Sequence, residues 1–461
     1  MAMQSRKDLL HAHRLMTQRA ALALLRGEPD VPDQPLRRLN VGTFAGILVG
    51  VIVAGIFGIW GLLFHGAPSL SPEASVIIDK QTGAPYVWCG QDKKEICPEL
   101  NYASALLALQ TPSAPVQTVN QSSLTGIKQG QLLGIPGLPS DLPTAGLLVK
   151  QPWSVCTQTQ FGRVGGPKNT TALAAGFQPG GQPIGSSLLL VTTGNNNDWV
   201  IGNDLRMPIQ PNTMHSVFPG IQPVPVSSVW LNAVNQGAFF AAPQLTDQGK
   251  LVTGPTGAKV QVGTIFSNGA SPPQYYVTTD NGSLAPITQT QESLLALVPG
   301  NVSGGNSTPT PLNPSQLTNI TQRLQTDGLP ATDKNTVSPQ SNAELCVVYS
   351  GGGQTLGMQV ETGGQMPSGG QATDAPPGSG LVDEVAIKGG EGALVKESES
   401  STSYILVTDG HRYALANTSV PSFLGYSTSQ AVQLPANIVD LIPVGPGFDP
   451  TQADEPVQSG G

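Results

Sequence analysis

Three patterns of apolar and polar positions divide the chain. Residues 41–64 read VGTFAGILVGVIVAGIFGIWGLLF, 24 positions without a charge. As a helix this stretch is about 36 Å long, enough to cross a hydrocarbon layer of about 30 Å with some tilt. A buried helix of a soluble protein rarely stays apolar on all sides for so long. A cleaved signal peptide has a shorter apolar run, nearer the start of the chain. The pattern predicts a membrane anchor.

Before it, residues 7–25 place Leu9, Leu10, Ala12, Leu15, Met16, Ala20, Ala23 and Leu24 at spacings of three and four. That period predicts a helix with one apolar face, opposite His13, Arg14, Gln18 and Arg19. Gly27, then Glu-Pro-Asp, closes it. A basic amphipathic helix of this kind suits anionic lipid or a partner surface. His11 and His13 fall on different faces and make a poor metal pair.

After the anchor the period shortens to that of strands. Tyr276 to Asp280-Asn-Gly282 runs into Ser283 to Ile287, and Ile405 to Asp409-Gly410 into His411 to Leu415. Trp199 to Asp204 runs into Leu205 to Ile209, and Tyr86 to Cys89 meets Ile96 to Pro98 across a polar tip. Each reads as strand, Asn/Asp/Gly turn and strand, the strongest local hairpin signal. A short helical segment follows each one. The segments 292–297 and 104–109 share Leu-Leu-Ala-Leu, and Val217-Phe218 and Phe423-Leu424 hold the equivalent places. The stretches 224–237 and 434–445 also echo each other. The predicted unit is strand, turn, strand and short helix, four times at irregular spacing.

Between the units lie 110–185 and 300–395, rich in Gly, Pro, Ser, Thr and Gln. Leu147-Leu-Val and Cys346-Val-Val-Tyr read as core strands there, so the two insertions are expected to build a shared central domain. The spans 303–314 and 351–380 read as flexible linkers. The fold class expected is therefore α+β and β-rich: one N-terminal transmembrane helix, then four small β-repeat modules around a central β domain. The expected domains begin with a stub (1–40), the anchor (41–64) and repeat 1 (65–110). The first segment of the central domain (111–185), repeat 2 (186–245) and repeat 3 (246–300) follow. The second segment of the central domain (301–395) and repeat 4 with the tail (396–461) complete the chain.

Composition narrows this further. Gly (55) and Pro (41) make about a fifth of 461 residues, without the period of collagen, and charged residues are only 11%. A net charge of −8 disfavours nucleic acid as a partner, because phosphate binding needs clustered Lys and Arg. The charge is divided by the anchor. Residues 1–40 hold seven basic and four acidic groups, and residues 65–461 hold 15 and 26. The excess of basic residues before the anchor predicts a cytoplasmic N-terminus and an outer C-terminal portion, in a single-pass protein of the cell (inner) membrane.

Within the anchor, Gly42, Gly46 and Gly50 form two overlapping GxxxG units on one face, where another helix could approach closely. The four cysteines, Cys89, Cys97, Cys156 and Cys346, all follow the anchor, as an oxidising compartment allows. Three pairings are open. In one, Cys89 and Cys97 close a hairpin-like loop and Cys156 and Cys346 bridge 190 positions. A zinc site is disfavoured because no CxxC or HxxxH spacing accompanies them.

Candidate chemistry is sparse. The nearest stretch to a phosphate-binding loop, Gly254-Pro-Thr-Gly-Ala-Lys259, has the wrong spacing and lacks a following Ser or Thr. Asp204, Asp280 and Asp409 recur at turns, where Asp is favoured for backbone reasons. A catalytic thiol would need one of His65, His215 or His411, none of which sits in a recognisable motif. No catalytic, cofactor-binding or metal-binding residue is assigned, and no cofactor is expected. Tyr86, Trp88, Trp199, Tyr275, Tyr276, Tyr404 and Tyr413 offer stacking surfaces for glycans, or simply suit strands.

The layout as a whole resembles the EccB family, the single-pass membrane component of the actinobacterial type VII (ESX) secretion machine. The resemblance rests on Ser5-Arg-Lys-Asp-Leu with Ala12-His-Arg14 and Ala23-Leu-Leu-Arg-Gly27, on the anchor, the four repeats, and the tail LPANIVDLIPVGPGF at 434–448. It implies a disulfide between Cys156 and Cys346 holding the central domain, with Cys89 and Cys97 as an extra pair. It also implies a place in a large oligomeric complex, scaffolding assembly on the outer side of the membrane for protein export. The partners implied are an EccC-like ATPase, an EccD-like multispanning protein, an EccE-like component and a mycosin protease. Alternative readings are a cell-wall (peptidoglycan) binding protein, or the nucleotide hydrolase described for some members.

Overall fold

The computed structural model describes residues 6–27, 35–64, 74–90, 92, 94–161, 167–301, 308–340, 342–351, 356–376, 378–397 and 403–457. The chain divides into two units, Met1–Ser71 and Pro72–Gly461. The first holds the helices Arg6–Arg26 and Pro35–Phe64. Gly27 ends the former in the left-handed region, φ 70°, with its N–H on the Ala23 carbonyl at 2.9 Å. That is the usual way a glycine terminates a helix. Within the second helix, Val41–Trp60 is long and apolar enough to cross a membrane, and its side chains are exposed throughout.

The second unit is β-rich, and four of its sheets share one strand order. Strands Val76–Asp79, Pro85–Cys89 and Glu95–Pro98 form an antiparallel meander. The helix Tyr102–Leu109 follows, and Val116–Val119 returns parallel to the first strand on its free edge. The same sequence of events runs through Leu188–Thr192, Asp198–Gly202, Leu205–Ile209, helix Pro211–Val217 and Val224–Pro225. It recurs in Ile265–Ser267, Tyr275–Thr278, Leu284–Ile287, helix Gln289–Ala296 and Thr310–Pro311. The last set is Ala393–Glu397, Tyr404–Thr408, His411–Leu415, helix Val420–Phe423 and Val432–Leu434. A strand parallel to the first must be reached by a crossover, and the helix makes it.

Turn chemistry explains the hairpins. Asn203 and Asp204 (φ 52° and 57°), and Asp409 and Gly410 (φ 49° and 73°), form two-residue loops with both residues left-handed, matching the strand twist. Asp280 sits differently, in a five-residue loop closed by Gly282 at φ 82°.

A seven-stranded sheet lies at the centre. Its order is Gln371–Ala372, Glu384–Ala386, Pro167–Ala175, Trp153–Phe161, Leu345–Ser350, Gly357–Thr362 and Gln182–Pro183. Cys346 stands directly opposite Cys156, both fully buried. One large core joins this sheet to the second and fourth sheets through Trp153, Val155, Val347, Leu189, Trp230 and Val407. A second core joins the first and fourth sheets, and a third links the second sheet to Leu294 of the third.

Several expectations are corrected. Leu147-Leu-Val is not a core strand: Ala145–Leu147 is a 3₁₀ turn, Leu147 is exposed, and Leu148 makes one bridge, to Gly392. Pro143 and Gly146 nearby suit a turn better than a ladder. The span 351–380 is not a plain linker, because it carries Gly357–Thr362 and Gln371–Ala372; residues 352–355 and 377, like 303–307, lie outside the described residues. Strands at 116–119 and 310–311 belong to the first and third sheets though they lie outside the spans 65–110 and 246–300, and the fourth sheet's strand 393–397 begins before the span 396–461. Returning strands of two to five residues carry too little alternation to be assigned from the sequence.

The echo between 224–237 and 434–445 has a structural cause. Arg206 gives its N–H to the Asn235 carbonyl (2.8 Å) and accepts from Gly237 N (2.9 Å), and Arg412 does the same with Pro443 (2.8 Å) and Gly445 (2.9 Å). Each arginine also reaches a short helix that follows it in the chain, Nη1 on Asn232 Oδ1 at 2.7 Å and on Asp440 Oδ1 at 2.6 Å. A β carbon on Gly445 would lie 2.3 Å from the Tyr413 ring. Gly445→Ala is therefore expected to destabilise the second unit by about 1–3 kcal/mol, as overpacking does. A thermal melt against the wild type measures this, and an unchanged midpoint refutes the close approach.

Candidate assembly surfaces

The anchor presents its glycines in an open row. A β carbon built on Gly42, Gly46 or Gly50 meets nothing within 4 Å, and all three are exposed. Their four-residue spacing keeps them on one helix face, where a second backbone can come close. On the helix Arg6–Arg26, Leu9, Ala12, His13, Met16, Thr17 and Ala20 line one exposed face, so His13, expected opposite the apolar residues, stands beside them, one turn from Leu9 and Thr17.

The carboxylates and histidines singled out in the second unit are not brought together into one site. Asp204 and Asp409 occupy turns of different sheets. Burial raises the pKa of both. For Asp204 an N–H from Val360 opposes the shift; for Asp409 the charge of Asp141 adds to it and His411 opposes it. His215 is exposed in the last turn of Pro211–Val217, and His411 Nδ1 meets the backbone carbonyl of Asp409 at 2.9 Å. His65 lies outside the described residues. Among the described residues, no three His, Cys, Asp or Glu side chains group as a metal site would require.

Lys259 lies in a hairpin, not a phosphate loop. Leu251–Thr253 pairs with Lys259–Gln261, and the lysine ammonium donates to Thr253 Oγ1 at 3.0 Å. The cysteines are bonded Cys89 to Cys97 and Cys156 to Cys346. One pair staples the first hairpin, and the other joins the two insertions across adjacent central strands.

The aromatics are distributed over separate sheets. Tyr276 and Tyr413 are buried, and Tyr86, Trp88, Trp199, Tyr275 and Tyr404 are half-buried. Arg206 lies over the Trp199 ring at 5.4 Å. Tyr275 and Tyr276 share a cleft of 380 Å³ with Arg323, Ile320 and a rim of prolines.

Buried carboxyls stand outside what the sequence pattern singled out. Glu99 is 3% exposed, and burial, then the charge of Asp454, push its pKa up to about 8. Glu292 is raised by burial and by Asp333, against Lys334, which bonds Asp333 Oδ2 at 3.2 Å. A signal for Glu99 exists: it is the one charge between Ile96-Cys-Pro and the apolar run 103–109.

Residues 2–456 match the family described as "Type VII secretion system ESX-1, transport TM domain B". The ESX-1 secretion system ATPase EccB1 of Mycolicibacterium smegmatis is 24% identical over 454 residues, 94% of this chain and 91% of that protein. A chain of an intact ESX-5 inner membrane complex superposes with a TM-score of 0.68 at 22% identity, over 100% of this chain and 97% of its own. A chain of the periplasmic assembly from the ESX-5 inner membrane complex gives 0.66 at 23% identity, over 87% and 97%.

Proposed function

The chain belongs to the EccB family of type VII secretion membrane components, and from that premise we propose that it is a structural, membrane-anchored subunit scaffolding a secretion complex from the outer face of the cell membrane. The observation that carries the proposal is the family match over residues 2–456, which includes a membrane-length helix with an open glycine face. The charge asymmetry across that helix supports a cytoplasmic stub and a periplasmic body. The similarity to a chain of an ESX-5 inner membrane complex supports membership of such a complex; the partners we propose, from the family resemblance, are an EccC-like ATPase, an EccD-like multispanning protein, an EccE-like component and a mycosin protease.

The four sheets of common strand order are four copies of one module, at 74–134, 188–241, 265–324 and 393–449; the second and fourth pack on a central domain built from 153–183 and 345–386, the first on the fourth, and the third on the second. Packed modules expose broad surfaces and strand edges, which suit protein contacts better than catalysis on a small molecule. The relative's name includes ATPase. For this chain the hairpin around Lys259 and the scattered carboxylates support the structural reading over hydrolysis.

The test separates the two. Gly46→Ile keeps the anchor apolar while filling the glycine row. It is expected to leave the protein in the membrane but to lower recovery of the complex by co-purification several-fold. Single Asp204→Asn, Asp409→Asn and His411→Ala variants are expected to keep secretion. Loss of secretion in any of these three, with the complex intact, would overturn the scaffold reading.

A further inference from the structure

The C-terminal segment does not end at the fourth sheet. Phe448 is fully buried beside Tyr413, 5.6 Å between ring centroids and edge-on. Its N–H donates to the Ala414 carbonyl at 2.8 Å. The short helix Pro450–Ala453 then packs on helix Tyr102–Leu109 of the first sheet's module, with Ala453 fully buried. Beyond it the chain joins a strand edge. Gly134 N donates to the Glu455 carbonyl (3.3 Å), and Val457 N to the Leu132 carbonyl (2.9 Å). Segment 132–134 is itself held on its other side by Leu133 N on the Pro98 carbonyl (3.0 Å) and Leu100 N on the Leu133 carbonyl (2.9 Å). The segment 448–457 thus clasps the first module to the fourth, over one shared core.

Glu99 lies under this clasp. It bridges Leu133 in the ladder, its side chain is 3% exposed, and neither carboxyl oxygen has a hydrogen-bond partner among the described residues. Segment 131–135 carries no titratable group, and helix Tyr102–Leu109 brings only Tyr102, which burial keeps neutral. Strand Pro85–Cys89 brings Tyr86 and a bonded Cys89, and strand Glu95–Pro98 brings a bonded Cys97 and Glu95, which pairs with Lys128. The clasp supplies Asp449, Asp454 and Glu455, all acidic. Among the described residues, these elements offer Glu99 no free cation.

We propose that Glu99 is the release element of a pH-controlled clasp: protonated, it lets the segment 450–457 close on the first module, and ionised, it drives that segment off. An unpaired carboxylate in an apolar site is strongly disfavoured, whereas opening the clasp hydrates it. The direction follows from linkage. With the clasp closed the carboxyl titrates at about 8, against an ordinary value of 4.5 when open to water. The closed state therefore binds more protons, is fully favoured below about 4.5, and weakens as pH rises toward 8, by up to about tenfold in the opening equilibrium per pH unit.

Hydrogen exchange of the full chain in detergent micelles, followed in peptides covering 132–135 and 454–457 from pH 5 to 9, tests this. Rates are corrected for the chemical pH dependence of exchange. The wild type is expected to show opening that grows with pH up to about 8, while peptides from Leu345–Ser350 stay protected. Glu99→Gln is expected to flatten the profile and increase protection at pH 8. Asp454→Asn is expected to bring the upper end of the window to lower pH, an effect that loss of packing would not produce. A flat wild-type profile, or equal slopes in wild type and Glu99→Gln, overturns the proposal. Should Glu99→Gln not fold, the wild-type slope and the Asp454→Asn displacement decide the matter by themselves.

Discussion

Replacing Cys156 and Cys346 together by alanine is expected to lower the unfolding free energy of the second unit by about 2–5 kcal/mol. The bond closes a loop of 190 positions, so in the chain-entropy description its loss releases much more unfolded-state freedom than loss of the bond between Cys89 and Cys97, which are eight apart. The contrast is structural as well. Cys89–Cys97 staples a hairpin whose two strands already pair in register from Tyr86 to Cys89. Cys156–Cys346 ties two strands from different insertions inside the sheet on which the large core is built, with Val348 beside it. Removing it also leaves a small void among fully buried residues, and such voids add to the cost. Urea unfolding of the purified full chain in detergent micelles under non-reducing conditions measures both variants. A Cys89/Cys97 double replacement is expected to cost about 1–2.5 kcal/mol. Equal losses in the two variants would show that the long-range bond does not organise the central sheet.

What could be read from the sequence follows from where the signal is local. The four hairpins are legible because strand, turn and strand lie within about fifteen residues, and turns such as Asn203-Asp204 and Asp409-Gly410 use residues that tolerate a left-handed backbone. The anchor is legible because its apolar run has no alternative reading of that length. The returning strands are not, because Val224–Pro225 and Thr310–Pro311 have two residues each and are placed by the crossover helix rather than by their own pattern. The central sheet falls between these cases. Cys346-Val-Val-Tyr is a strong apolar strand, yet its neighbours Trp153–Phe161 and Gly357–Thr362 are set by pairing with it, across a long separation for the first. Leu147-Leu-Val misleads for the opposite reason, since three apolar residues in a row need no ladder when a turn exposes one of them. Glu99 illustrates the limit for chemistry. Its isolation among apolar neighbours is visible in the sequence, but the acidic segment that closes over it arrives from the far end of the chain.

Trp230→Ala is expected to cost about 3–5 kcal/mol, the range for emptying a large buried aromatic site. Trp230 sits on the short helix Ser228–Asn232, whose start is fixed by Ser227 Oγ accepting from Val229 N at 3.1 Å. The ring is fully buried in the core shared by the central, second and fourth sheets. Alongside it, the buried Tyr349 hydroxyl donates to the Ala233 carbonyl at 2.7 Å, fastening the helix's end to the central sheet. A cavity there loosens the central sheet's hold on the second sheet, not merely one helix. The indole Nε1 has no hydrogen-bond partner among the described residues, so Trp230→Phe gives up volume but no bond and is expected to cost clearly less than Trp230→Ala, because the cavity it leaves is smaller. The two melts together distinguish packing from polarity. If Trp230→Ala costs under about 1 kcal/mol, no more than a mild core truncation, then the second sheet does not depend on the central sheet for its stability.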